Sequence, residues 1–218
     1  MIDFQRAAIK AYETLRDNRI SNVPVHPLQI IKKIPNVLVF SFTEASSFSG
    51  IGQAELLDVL IDQNLDSITF SKNCNGSMNY LVAYNQRFPF DMLQQSLAVE
   101  LGHIVLGHNN SMNEIERRAE AVCFAQHLLC PRPLVQAIKD AGEIPTVATI
   151  GTMTGCYGRY IAGMRNTPGI HVPAELNNAV KDQLLNYVNN YLKCMSAIGL
   201  EDESPEANFG TYMDGYEE

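Results

Sequence analysis

Residues 97–108 read LAVELGHIVLGH. Leu97, Leu101 and Ile104 recur at the spacing of an apolar helical stripe, and Gly107 offers a stop behind them. On a helix, residues four apart lie about 40° apart around the axis and one turn apart along it. Two histidines at i and i+4 therefore reach one ion from a single face. A glutamate at i+1, offset by about 100°, stands beside that ion, where it can take a proton from bound water. Here position i is Val99, position i+1 is Glu100 and position i+4 is His103. The stretch carries the general base and one ligand of such a site, with a valine in the other ligand's place.

On the C-terminal side of this helix, Asn113 is placed to cap the next one, with Glu116 as its capping-box partner. That helix must end before Pro131. Shorter helices are expected over 132–140 and roughly 145–165. Leu176, Val180, Leu184, Val188 and Met195 predict a last amphipathic helix over 173–198. On the N-terminal side, Phe4, Ala8, Tyr12 and Leu15 predict a helix over 3–18, and Pro27 opens a short one through Lys33. The runs at 37–42, 68–70 and 80–84 read as strands, the last two separated by a turn signal at 73–77. A short helix is expected over 53–63. The chain is thus α+β: a small three-stranded sheet, expected to be antiparallel, among mostly helices.

With 46% apolar and 18% charged residues, the chain can bury a full core. Its formal charge of −8 sits mainly in residues 201–218, which hold seven acidic and no basic side chains. A nearly neutral body argues against broad, direct nucleic-acid binding, which needs clustered Lys and Arg. No apolar run is long enough for a membrane span, and MIDFQRAAIK lacks the pattern of a secretory signal. Five cysteines without regular spacing suit reduced thiols, so a cytoplasmic protein is expected. SGIGQAE around Gly50 lacks the third glycine of a dinucleotide loop and reads as a turn. The segment 145–165 has helix–turn–helix proportions but only Arg159 and Arg165 for phosphates, so packing is its expected role. Phe88 and Phe90 are expected to be core anchors.

LAVELGHIVLGH is followed by Glu120-Ala121-x-x-Phe124-Ala125-x-x-Leu128-Leu129-x-Pro131. Together the two blocks resemble the ImmA/IrrE family of metallopeptidases, in which LAHELGHxxLGH precedes EAxxFAxxLLxP. The match spans residues 97–131. The resemblance implies a zincin-like metallopeptidase domain over residues 1–140; a helical extension is expected over 141–199, and an acidic tail, expected to be disordered, over 200–218. It makes His103 a zinc ligand, Glu120 the third ligand and Glu100 the catalytic base. Val99 is the departure. A complete structural zinc site contributes roughly 10–16 kcal/mol from four ligands, so one ligand is worth about 3–4 kcal/mol, or two to three decades of affinity. Zinc, if any ion, is the expected cofactor, and the site is expected to be empty or labile. On the following helix Glu116, Glu120, Cys123 and His127 share one stripe, so Cys123 or Glu116 is a candidate substitute ligand. The competing reading makes Cys123 a small buried apolar residue. His108, about 140° round from His103 and beyond Gly107, is expected not to converge.

Members of this family, from phages, mobile elements and bacteria, cleave or control helix-turn-helix repressors. The resemblance therefore implies a regulatory protein with a repressor-like protein partner, and Val99 makes impaired zinc catalysis the expectation. The alternative is an active zinc endopeptidase that cleaves such a repressor through Glu100.

Overall fold

The computed structural model describes residues 2–49, 66–109, 111–156, 158–165 and 169–198. The helix expected over 53–63, the turn expected around Gly50 and the tail expected to be disordered lie outside the described residues. The chain divides into two units: residues 1–11 with 26–125, and residues 12–25 with 126–218.

The first unit holds the sheet and the helix that carries LAVELGH. Helix α1 (Phe4–Asp17) begins where Asp3 Oδ1 accepts from the Arg6 amide at 2.8 Å, an N-cap. Proline opens α2 (Pro27–Ile31). Strand β1 (Val37–Ser41) runs straight into α3 (Phe42–Ser49) through a reciprocal capping box. The Glu44 amide donates to Ser41 Oγ at 3.2 Å, and the Ser41 amide donates to Glu44 Oε2 at 2.7 Å. The hairpin β2 (Ser67–Cys74) and β3 (Ser77–Tyr84) turns on Asn75-Gly76, both at positive φ (54° and 82°), as a two-residue primed turn requires.

The sheet order is β1-β3-β2, with β3 in the middle. β2 pairs antiparallel with β3, but β1 pairs parallel with it, Val39 opposite Val82. The expectation of an antiparallel sheet is therefore corrected: the sheet is mixed. β1 is separated from β3 by α3 and the first hairpin strand, and a connection of that length permits parallel pairing. The hairpin's tight turn permits only the antiparallel kind.

One sheet face packs on α4 (Phe90–Val105), and Phe42 of α3 packs with Ala83, Ile68 and Leu81 on the other. Leu97, Ala98 and Leu101 of α4 are fully buried, together with Ala121 and Phe124 of α5 (Glu114–Leu129). These two helices approach closely at Gly102. A Cβ built there would stand 3.0 Å from the Ala121 carbonyl oxygen and 3.1 Å from Phe124 Cδ1. Phe90, expected as a core anchor, is 59% exposed, its ring edge-on to His26. The apolar stripe of α4 begins only at Leu93, and Phe90 sits on the first turn before the helix is covered.

In the second unit, α6 (Arg132–Asp140) packs on α9 (Ala174–Ile198), with Leu134, Ala137, Ile138, Val180, Leu184 and Val188 buried. Lys181 pairs with Asp140 at 2.8 Å. α7 (Val147–Thr154) ends at Gly155 in the left-handed region, and α8 (Gly158–Arg165) follows. Ile150, Met153 and Ile161 are buried, so this pair is packed inward, as the sparse charge suggested. Buried Tyr12 accepts from the Arg132 amide at 3.1 Å, and its hydroxyl lies 3.3 Å from His127 Nδ1. His127 Nε2 is a buried atom without a hydrogen-bond partner among the described residues.

Two predictions follow from this packing. Gly102→Ala should cost about 1–3 kcal/mol in urea unfolding, because the new methyl meets backbone as well as a ring. Unaltered stability would mean the two helices can part freely. Burial lowers His127 from the ordinary imidazole value of 6.5 to about 4. As pH falls the unfolded chain takes that proton first, so stability is intact above about pH 6.5 and drains away down to about pH 4, by at most about 3 kcal/mol. His127→Gln should flatten this acid limb; an unchanged slope between pH 6.5 and 4 would contradict it.

Candidate functional site

The site forms at the C-terminal end of α4, and the turn that ends this helix builds it. Gly107 takes φ 67°. Its amide donates to Ile104 O at 3.1 Å, and the His108 amide donates to His103 O at 2.9 Å. These two bonds are the Schellman pair, and they fold the chain back over the last helical turn. The result corrects the expectation for His108: it converges. His108 Nδ1 lies 3.0 Å from His103 Nδ1, and its Nε2 lies 3.0 Å from Glu120 Oε2. The helical angle used to exclude it does not apply beyond Gly107, where the backbone is no longer helical.

Glu120 reaches this network from α5, across the close approach at Gly102. Its second oxygen, Oε1, accepts from the Asp3 amide at 2.7 Å. The carboxylate is 4% exposed and His108 3%. Burial lowers both imidazoles: His103 to about 4, and His108 below its ordinary value despite the opposing pull of Glu120. Both rings are therefore neutral near pH 7, and the contact of His108 with Glu120 is a hydrogen bond to a carboxylate rather than an ion pair of two full charges.

Neutrality fixes the tautomers. A carboxylate only accepts, so His108 carries its proton on Nε2 and donates it to Glu120. His108 Nδ1 is then an acceptor, and His103 must donate to it from Nδ1. The lone pair of His103 is left on Nε2.

Glu100 faces the sheet. Its Oε1 accepts from the Ser67 hydroxyl at 2.9 Å, and Ser67 in turn shares a short contact with Ser96. With its own proton given to Glu100, Ser67 accepts there, so Ser96 is the donor. Thr69 Oγ1 stands near the same carboxyl, buried and without hydrogen-bond geometry to any described group. Burial raises the Glu100 carboxyl above its ordinary range, against the hydroxyls that favour its ionised form. Glu100, His103 and His108 form the floor of a cleft of about 350 Å³. Residues Ser67–Ser71 of β2 make one wall, and Glu114, Arg117 and Arg118 of α5 make the other.

The sequence-derived residues divide accordingly. His103 and Glu120 are brought together, with His108 between them, and Glu100 lies beside them one helical turn back. Cys123 donates instead to the Phe4 carbonyl at 3.7 Å and is 3% exposed, which matches its reading as a small buried residue. Glu116 donates its amide to Asn113 Oδ1 at 3.1 Å, the expected cap. Neither Cys123 nor Glu116 completes a ligand set: among the described residues no three His, Cys, Asp or Glu side chains are grouped to hold an ion.

Zinc needs three protein donors and an open position for catalysis. His103 Nε2 supplies one. Glu120 can supply a second, since each of its oxygens keeps a lone pair beside the bond it accepts from Asp3 or from His108. Val99 supplies none. The residues present do not fit a resident zinc ion.

No family model, curated protein or solved structure matches this chain. The tautomer assignment is open to direct measurement. Long-range ¹H–¹⁵N spectra at pH 7 should show His103 protonated on Nδ1 and His108 on Nε2. His108→Ala should cost about 1–3 kcal/mol by stranding a buried carboxylate. The reverse tautomers, or no loss of stability, would break the network.

Proposed function

We propose that this protein is a regulatory binding protein on a metallopeptidase-like scaffold, with impaired zinc catalysis, that takes an extended segment of a repressor-like protein partner in the cleft beside β2. One observation carries this reading: the cleft is complete while the donor set on its floor is not. Val99 stands where the remaining ligand is expected and offers no lone pair.

The walls support a binding role. Among the described residues β2 is an edge strand. Cys74 and Ser77 close a two-residue turn as a hydrogen-bonded pair, so pairing alternates along β2. Ser67, Thr69, Ser71 and Asn73 then turn their amides and carbonyls away from β3. An extended segment can add to such an edge by main-chain hydrogen bonds, with side-chain contacts supplying specificity. Phe70, 55% exposed, is available to an apolar side chain of that segment. Binding in this manner uses no ion.

The resemblance to the ImmA/IrrE family, with its repressor partners, supplies the class of partner. An active peptidase acting through Glu100 is the reading this one must defeat. Elemental analysis of purified protein should find well under one zinc per chain, and labelled casein should show no chelator-sensitive cleavage. Val99→His, which restores an imidazole one turn before His103, should bind zinc two to three decades more tightly. One zinc per wild-type chain, with cleavage abolished by Glu100→Gln, would overturn the proposal.

A further inference from the structure

This inference rests on the binding role proposed above and names the chemistry of the segment bound. The cleft is charged unevenly. On its α5 wall Arg117 and Arg118 stand near one acidic side chain, Glu114. The two guanidinium groups on this wall outnumber its one carboxylate. Arg117 spends a guanidinium proton on the Asn109 carbonyl at 3.5 Å. Arg118 is exposed, and among the described residues its guanidinium has no hydrogen-bond or ion-pair partner, although its charge acts on both Glu100 and His103.

An arginine in this position faces the wall that carries the open amides and carbonyls of Thr69 and Ser71. A strand laid along β2 would place alternate side chains toward α5. A guanidinium offers five donors in a planar fork that matches a carboxylate with two parallel bonds, and charge-assisted bonds of this kind are about twice as strong as neutral ones. The floor adds a hydrogen-bond acceptor at His103 Nε2.

We propose that the cleft selects an extended peptide segment carrying a carboxylate, which Arg118 binds while the segment's backbone pairs with Thr69 and Ser71. The carboxylate is an aspartate or glutamate side chain or a free chain end.

The test uses the full-length protein and fluorescein-labelled, position-scanning libraries of soluble decapeptides, each made with a free and an amidated C-terminus, read by anisotropy. Libraries with aspartate or glutamate fixed at one position, or with a free C-terminus, should bind about tenfold more tightly than those with asparagine, glutamine or lysine. A preference that survives amidation assigns the carboxylate to a side chain, and one lost on amidation assigns it to the chain end. Arg118→Ala should bring the carboxylate libraries down to the level of the neutral ones. Ser71→Pro removes an outward amide, at an edge position where proline leaves the β3 ladder intact, and should weaken every library. Binding without preference for a carboxylate, or a preference that persists in Arg118→Ala, overturns the inference while the strand-edge reading stands. Binding unaffected by Ser71→Pro, or no binding by any library, overturns the strand-edge reading and this inference with it.

Discussion

The close approach of α4 and α5 at Gly102 is the constraint on which the site depends. The carboxylate of Glu120 is short, and it meets His108 at 3.0 Å only because the backbone of Ala121 can lie against a residue with no side chain. A methyl at Gly102 would stand 3.0 Å from a backbone oxygen, tighter than nine in ten real Cβ contacts. Two small residues at facing positions thus set the separation of two helices, and that separation sets what their polar side chains can share. Ala121 is therefore part of the site's geometry although it contributes no polar atom to it.

The second element is the turn at Gly107. A helix that ends in a Schellman motif reverses direction within two residues, and here the reversal drops an imidazole into the gap between one turn of α4 and the middle of α5. The consequence is chemical as well as geometric. Once His108 donates to Glu120, every proton in the chain of groups from Asp3 to His103 has an assigned place. The order that results is enforced by burial, which keeps both rings neutral. Such an arrangement holds a ligand-type imidazole in one orientation.

Much of the architecture was legible in the sequence because it follows from local chemistry. Asn75-Gly76 specifies a tight hairpin turn, Pro27 and Pro131 mark helix boundaries, Asn113 caps α5, and the apolar stripes of α4 and α9 give their extents. α3 was missed although its signal was present: Ser41-Phe42-Thr43-Glu44 is a capping-box sequence directly after a strand. His108 was missed for a related reason. Gly107 was read as a stop, but a stop of this type also fixes where the next residue goes, and the two Schellman bonds could have been drawn from the glycine alone.

What the sequence determined by itself was most of the elements and the chemical identity of the candidates: Glu100, His103 and Glu120 with a valine at 99. These rest on interactions within a few residues, where backbone sterics and capping leave little choice. The tertiary structure decided the rest. It made the sheet mixed, because strand pairing between distant segments has no local signature. It sent Cys123 to the Phe4 carbonyl and His108 to Glu120, because the partner of a buried polar group is whichever complementary atom the packing brings within reach.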